Sequence, residues 1–169
     1  LALIDQIEAL VRRDPAGRGL ISSESRLGPL CSGHLAQAAQ SLASTARSVV
    51  IVTGFFVPDA DLPSAETDGP PGAVMLASAL ESVGIRCTLV TDLPCASAVW
   101  AAARATAIPP TAIEICTQPT EWFDDFVNSD RGSQLTHLIA VERVGPSHDE
   151  QSLARQSRNG PAPLAEFRA

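Results

Sequence analysis

Four short apolar runs, Ser48 to Val57, Ile85 to Thr91, Ala112 to Cys116 and Thr136 to Val141, alternate with stretches of helical pattern, and that alternation limits the fold more than any other feature. Strands joined through helices run parallel, because a crossover helix returns the chain to the same end of the sheet. Helices are expected over Ala73 to Val83 and over the Ala-rich stretch Cys95 to Ala105, with a helical turn over Glu121 to Asn128. Ahead of the first strand, Leu3, Ile4, Ile7, Leu10 and Val11 recur at helical spacing opposite Asp5, Glu8, Arg12 and Arg13, and a second helix is expected from about Cys31 to Ala46. Asp14-Pro15 and Gly17-Arg18-Gly19 separate the two, with irregular chain to about Pro29. The expectation is one α/β domain over residues 1–169, three-layered and Rossmann-like, its mostly parallel sheet ordered 3-2-1-4 with helices on both faces. The chain opens on Leu rather than Met and is expected to be incomplete at its carboxyl end.

Strand order decides where chemistry can sit. In a 3-2-1-4 sheet the first and fourth strands lie side by side where the winding reverses, and the crevice at their carboxyl ends is the usual ligand site. Two polar clusters would meet there: Thr53-Gly54 with Glu66-Thr67-Asp68-Gly69-Pro70-Pro71-Gly72 from the first connection, and Glu142-Arg143-Val144-Gly145-Pro146 from the end of the fourth strand. The first connection is long, which in compact domains often signals function. Pro70 and Pro71 suit a first helical turn, Asp68 suits its cap, and free N–H groups after Gly69 would offer an anion site. Asp92 serves equally as a turn residue or a crevice residue. His137 sits at the far end of its strand and reads as structural.

Composition removes several function classes. The formal charge of −7, without a basic stripe, argues against nucleic acid. No apolar stretch is long enough to span a bilayer. All 12 positive residues are Arg, so lysine Schiff-base chemistry is excluded within this chain, while guanidinium groups suit carboxylate recognition. Cys31, Cys87, Cys95 and Cys116 form no Cys-x-x-Cys pair, which argues against a zinc knuckle and fits a reducing compartment, cytoplasm or, in a eukaryote, mitochondrial matrix. Cys87, alternating with Ile85 and Leu89, reads as a buried small hydrophobe. Phosphate-loop and dinucleotide fingerprints are absent from the sequence.

The segments Thr53-Gly54-Phe55-Phe56-Val57-Pro58, Glu66 to Gly72, Thr91-Asp92 and Thr136 to Pro146 resemble the D-glutamate cyclase family, in its carboxy-terminal cyclase domain, formerly a domain of unknown function. Ser157-Arg158-Asn159-Gly160-Pro161 is similar as well, and the likeness runs from about Ile4 to Pro163. An Asn-Met-Arg-Gly segment that the family leads one to expect further on is missing from this chain. The resemblance implies a lyase that closes D-glutamate to 5-oxo-D-proline with loss of water. Glu66, Asp68 and Glu142 are then the expected catalytic groups, and Thr53, Gly54, Gly69, Gly72, Arg143 and Arg158 the expected substrate-binding ones. Asp68 and Glu142 are also expected ligands for a divalent cation, Mg or Mn. A small amino-acid substrate is the expected partner, with homo-oligomer formation left open. The alternatives are another hydrolase or lyase of this fold acting on a small carboxylate or phosphate compound, or a non-catalytic metabolite-binding protein.

Overall fold

The structure, a computed structural model, describes residues 2–15, 17, 32–57, 62–117, 119–143 and 150–155. Helices α1 (Leu3–Val11) and α2 (His34–Thr45) lead into strand β1 (Ser48–Thr53). Two-residue strands β2 (Phe56–Val57) and β3 (Ser64–Ala65) precede helix α3 (Gly69–Ser82). Strand β4 (Arg86–Asp92) passes through a 3-10 turn at Leu93–Cys95 into α4 (Ala96–Ala103), and a second such turn, Pro110–Ala112, opens strand β5 (Ile113–Cys116). Helices α5 (Pro119–Val127) and α6 (Asp130–Ser133), strand β6 (His137–Val141) and helix α7 (Glu150–Arg155) complete the described elements.

The main sheet runs β5-β4-β1-β6 with every pair parallel, which is the 3-2-1-4 order for the first, second, third and fourth long strands. Its centre is β1, whose sequence Ser-Val-Val-Ile-Val-Thr has no polar residue between its ends. A strand covered on both faces needs such a run, because alternate side chains point to opposite layers and both layers are dry. On one face Val49, Ile51, Cys87 and Leu89 pack with Ala73, Val74, Ala77 and Leu80 of α3 and Val99 and Ala103 of α4. On the other face Glu114 accepts from Trp122 Nε1 at 3.2 Å and from Arg131, which also reaches Thr88 Oγ1 at 2.9 Å, so α5 and α6 form the third layer. At the amino-terminal end of the sheet Ser41 Oγ and His137 Nε2 hydrogen-bond at 3.1 Å, a structural role for that histidine.

Several boundaries differ from those expected. The apolar run extends to Val57, but β1 ends at Thr53, at the Thr53-Gly54 step expected to close the strand, because Gly54 takes a φ of 121° and turns the chain out of the sheet. Phe56 and Val57 instead pair antiparallel with Ser64 and Ala65 in a separate ribbon. α3 extends the apolar-periodic stretch from Ala73 back to Gly69, as the cap at Asp68 and the prolines suited to a first turn led one to expect, since prolines there lose no helical hydrogen bond. The helical turn near Glu121 is two helices, α5 and α6, and α7 had no counterpart in the sequence reading.

Helix α1 docks by its polar side. Glu8 is buried, its carboxylate accepting from Gly33 N and Leu35 N at the start of α2, with Arg12 at 3.7 Å from the same group. Leu3, Ile7, Leu10 and Val11 face outward. Unsatisfied N–H groups at a helix start are costly, and a carboxylate is the strongest available acceptor for them, which explains why the acid rather than the apolar stripe makes this contact.

Candidate active site

The carboxyl ends of β1, β4 and β6 lie together, and the polar residues that follow each strand are held there by short-range constraints. Thr53 pairs with Val141 in the register between β1 and β6, which sets Glu142 one residue beyond the edge. Glu142 has a φ of 45°, a conformation that non-glycine residues seldom adopt. Its Cβ lies only 2.7 Å from the point where a Cβ on Gly69 would stand, so the first residue of α3 must be glycine-sized for strand end and helix start to touch.

That contact brings the two distant acidic segments together. One carboxylate oxygen each from Glu66, Asp68 and Glu142 lies within 4.8 Å of the others, and all three residues are exposed. The three expected catalytic residues therefore share one small space. Asp68 has a second duty, its Oδ1 accepting from Gly69 N at 3.0 Å. The anion site expected after Gly69 is not built: Pro70 and Pro71 have no N–H, and that of Gly69 is already taken by Asp68. An acidic cluster at a helix start without free N–H groups favours cations over anions. Of the expected binding glycines, Gly69 lies at the cluster, and Gly72 packs one turn on, near Val141.

Arg143, expected to bind substrate, makes a structural ion pair. Its Nη1 donates to Gly54 O at 3.0 Å and to the Asp92 carboxylate, while the other Asp92 oxygen accepts from Cys95 N at 3.2 Å. One ion pair thus ties together the ends of β1, β4 and β6. Burial pushes the Asp92 carboxyl upward, but the hydrogen bonds from Arg143 and Cys95 and the positive charge of Arg143 outweigh it, leaving Asp92 below its ordinary range. Cys95, buried beside it, moves the other way: burial first, then Asp92, push its thiol up to about 12. Arg158 and the Val144 to Pro146 segment lie outside the described residues.

Two buried hydroxyls at this edge, Thr53 Oγ1 and Thr91 Oγ1, have no hydrogen-bond partner. Since Val52 pairs with Val90, the two threonines stand side by side one step further along the same face. Gly54 fits against Thr91 and Cys95, where a Cβ would come within 2.8 Å of Thr91 Oγ1 and 2.7 Å of Cys95 Cβ. Thr91 and the Asp92 clasp were not among the site residues expected from sequence. The alternation Cys87, Leu89, Thr91 was the available signal, since it puts a hydroxyl in phase with the buried face at a strand's carboxyl end.

Comparison with known proteins gives this edge a family. The sequence profile described as "D-glutamate cyclase-like, C-terminal" matches residues 7–159. The chain belongs to this family. A human relative, "D-glutamate cyclase, mitochondrial" of Homo sapiens, is 33% identical over 159 residues, an alignment covering 86% of this chain and 24% of that protein. The chain thus spans about a quarter of the length of that curated relative. No solved structure matches it. Within the D-glutamate cyclase-like family fold, both acidic segments and the Asp92–Arg143 pair fall inside the matched residues.

Proposed function

We propose that this chain forms the D-glutamate cyclase-like site of an enzyme that closes D-glutamate to 5-oxo-D-proline. The observation that carries the reading is the meeting of Glu66, Asp68 and Glu142 at the sheet's carboxyl edge, in a chain of this family. In the reaction the α-amine nitrogen attacks the side-chain carboxyl carbon. The new C–N bond forms, a C–O bond breaks, and the released oxygen leaves as water, carrying the equivalent of the two protons that the ammonium gives up on becoming the lactam N–H. The chemistry therefore needs a base for the ammonium proton and an acid for the departing oxygen, both within reach of one small substrate. Three neighbouring carboxyl groups within 4.8 Å supply candidates for both roles in one small space.

Arg143 acts in this reading by holding Gly54 and Asp92, with its remaining N–H groups available to a substrate carboxylate. Thr53 and Thr91 hold unpartnered hydroxyls buried directly beneath this edge. A phosphate substrate is disfavoured, since the acidic cluster repels it and the α3 start offers no free N–H. The partner in this reading is a small amino acid. The described residues contain no helix long and apolar enough to cross a membrane, and a mitochondrial matrix or cytoplasmic location fits three free cysteines among them. The test is incubation of the full-length protein with D-glutamate, L-glutamate and related diacids, with chiral analysis of the products. Lactam from D-glutamate supports the reading. Saturable binding of D-glutamate without turnover refutes it in favour of a metabolite-binding role.

A further inference from the structure

The acidic cluster conflicts with its own proposed substrate. Glutamate brings two carboxylates to a place where three are already gathered, and no arginine among the described residues pairs with Glu66, Asp68 or Glu142. Arg143, the nearest in sequence, pairs with Asp92 and not with the cluster. The helix start cannot supply the missing positive contacts, because Pro70 and Pro71 lack N–H groups and Gly69 donates to Asp68.

A second observation points to a ligand at the same place. Thr53 Oγ1 is fully buried and has no hydrogen-bond partner. It borders the notch over Gly69: the point where a Gly69 Cβ would stand lies 3.0 Å from this hydroxyl and 2.7 Å from Glu142 Cβ. A buried hydroxyl of this kind marks a polar contact still to be made.

Resting on the cyclase reading, we propose that Glu66, Asp68 and Glu142 together hold one hard divalent cation of the Mg2+ or Mn2+ class, and that the substrate carboxylate enters as a further ligand of that cation. All three donors are carboxylate oxygens, with neither His nor Cys in the group, which is the ligand set of hard cations rather than of zinc or copper. Oxygens within 4.8 Å of one another are close enough to share one cation, and each side chain is exposed and free to adjust by rotation. Three protein oxygens leave room in a six-coordinate shell for water and one substrate carboxylate. Drawing Glu142 onto the cation gives Thr53 its partner, a carboxylate or cation-bound water oxygen, so the threonine acts as a positioning residue. The cation also removes the charge conflict and polarises the carboxyl carbon that the amine attacks.

The experiment is a Mn2+ titration of the full-length protein, read by loss of the free-ion electron paramagnetic resonance signal and by thermal melting with and without chelator. The expected result is saturable binding of one Mn2+ per chain, weakened at least about tenfold in Asp68→Asn and Glu142→Gln. Both variants should melt near the wild type when stripped of metal, which separates lost ligation from lost folding. Thr53→Val should show a smaller Mn2+-induced rise in Tm than the wild type. Folded protein that leaves Mn2+ free, or variants that bind it as the wild type does, overturn the proposal. Lactam formation undiminished by chelator refutes the cation while leaving the cyclase reading intact. Bound Mn2+ with no lactam from any diacid refutes the cyclase reading and leaves the cation site.

Discussion

Replacing Gly69 with Ala tests the contact on which the site depends. At this position the backbone is not in the left-handed region, so an alanine is not strained by its own φ, and the smaller entropy of the unfolded chain would favour it by roughly 0.4–1 kcal/mol. The added methyl, however, would stand 2.7 Å from Glu142 Cβ, 3.0 Å from Thr53 Oγ1 and 3.4 Å from Val141 O. None of these neighbours is the free end of a flexible side chain. Thr53 has no exposed surface, and Glu142 Cβ is fixed by a backbone already at a φ of 45°. Relief therefore requires α3 to move away from β6, an overpacking cost of about 1–3 kcal/mol. The balance is a net loss of about 1–2 kcal/mol, which for a chain of this size lowers Tm by roughly 2–8 °C. Calorimetric melting of wild type and Gly69→Ala measures it. Because the same movement separates Glu142 from Asp68, lactam formation should fall by more than the small stability loss can explain. A variant as stable and as active as the wild type would refute the claim that Gly69 sets the distance between the acidic segments.

Asp92→Asn should lower stability by about 1 kcal/mol at neutral pH, a value discounted because Arg143 and Asp92 keep 32% and 25% of their side-chain surface exposed. The folded-state pKa of Asp92 is depressed, so its stabilisation is complete above the unfolded value near ~3.9 and is lost as pH falls through the folded one. Urea melts of both proteins should differ at pH 7 and converge in acid; a gap that persists there would sink the ion-pair account. Cys95, buried and with its thiol pushed up to about 12, should resist iodoacetamide at pH 8 and react once the protein is unfolded, as read by peptide mass mapping. Gly54→Ala combines a φ of 121° with contacts of 2.7 Å and 2.8 Å to Cys95 and Thr91, and should destabilise the protein by about 3 kcal/mol or more; wild-type melting would contradict that packing.

The sheet was legible because parallel strands leave an unmistakable imprint. The run Val49 to Val52 has no polar face, and each later strand is followed or preceded by a helix-length connection, so order and crevice follow from connectivity alone. Asp68 as a cap was readable for a similar reason, since prolines directly after it fix where a helix can start. Contacts made by tertiary packing were not readable. The helical spacing of Leu3, Ile7 and Leu10 defines an apolar stripe but not its partner, and Glu8 makes the docking contact instead. Arg143 was expected to bind substrate, and nothing local in its sequence pointed to Asp92 as its partner. The turn in the backbone at Glu142 sends the two side chains to different neighbours. The unpartnered hydroxyls of Thr53 and Thr91 depend on strand register, which no local pattern reveals.

The claim most in need of trial is that the acids converging from the two segments perform the ring closure. Its most direct measurement is the rate of 5-oxo-D-proline formation from D-glutamate by the full-length protein and by its Glu142→Gln form, both shown to be folded. Loss of product in the variant is the predicted outcome. Equal rates in the two would take Glu142, and the convergence built on it, out of the mechanism.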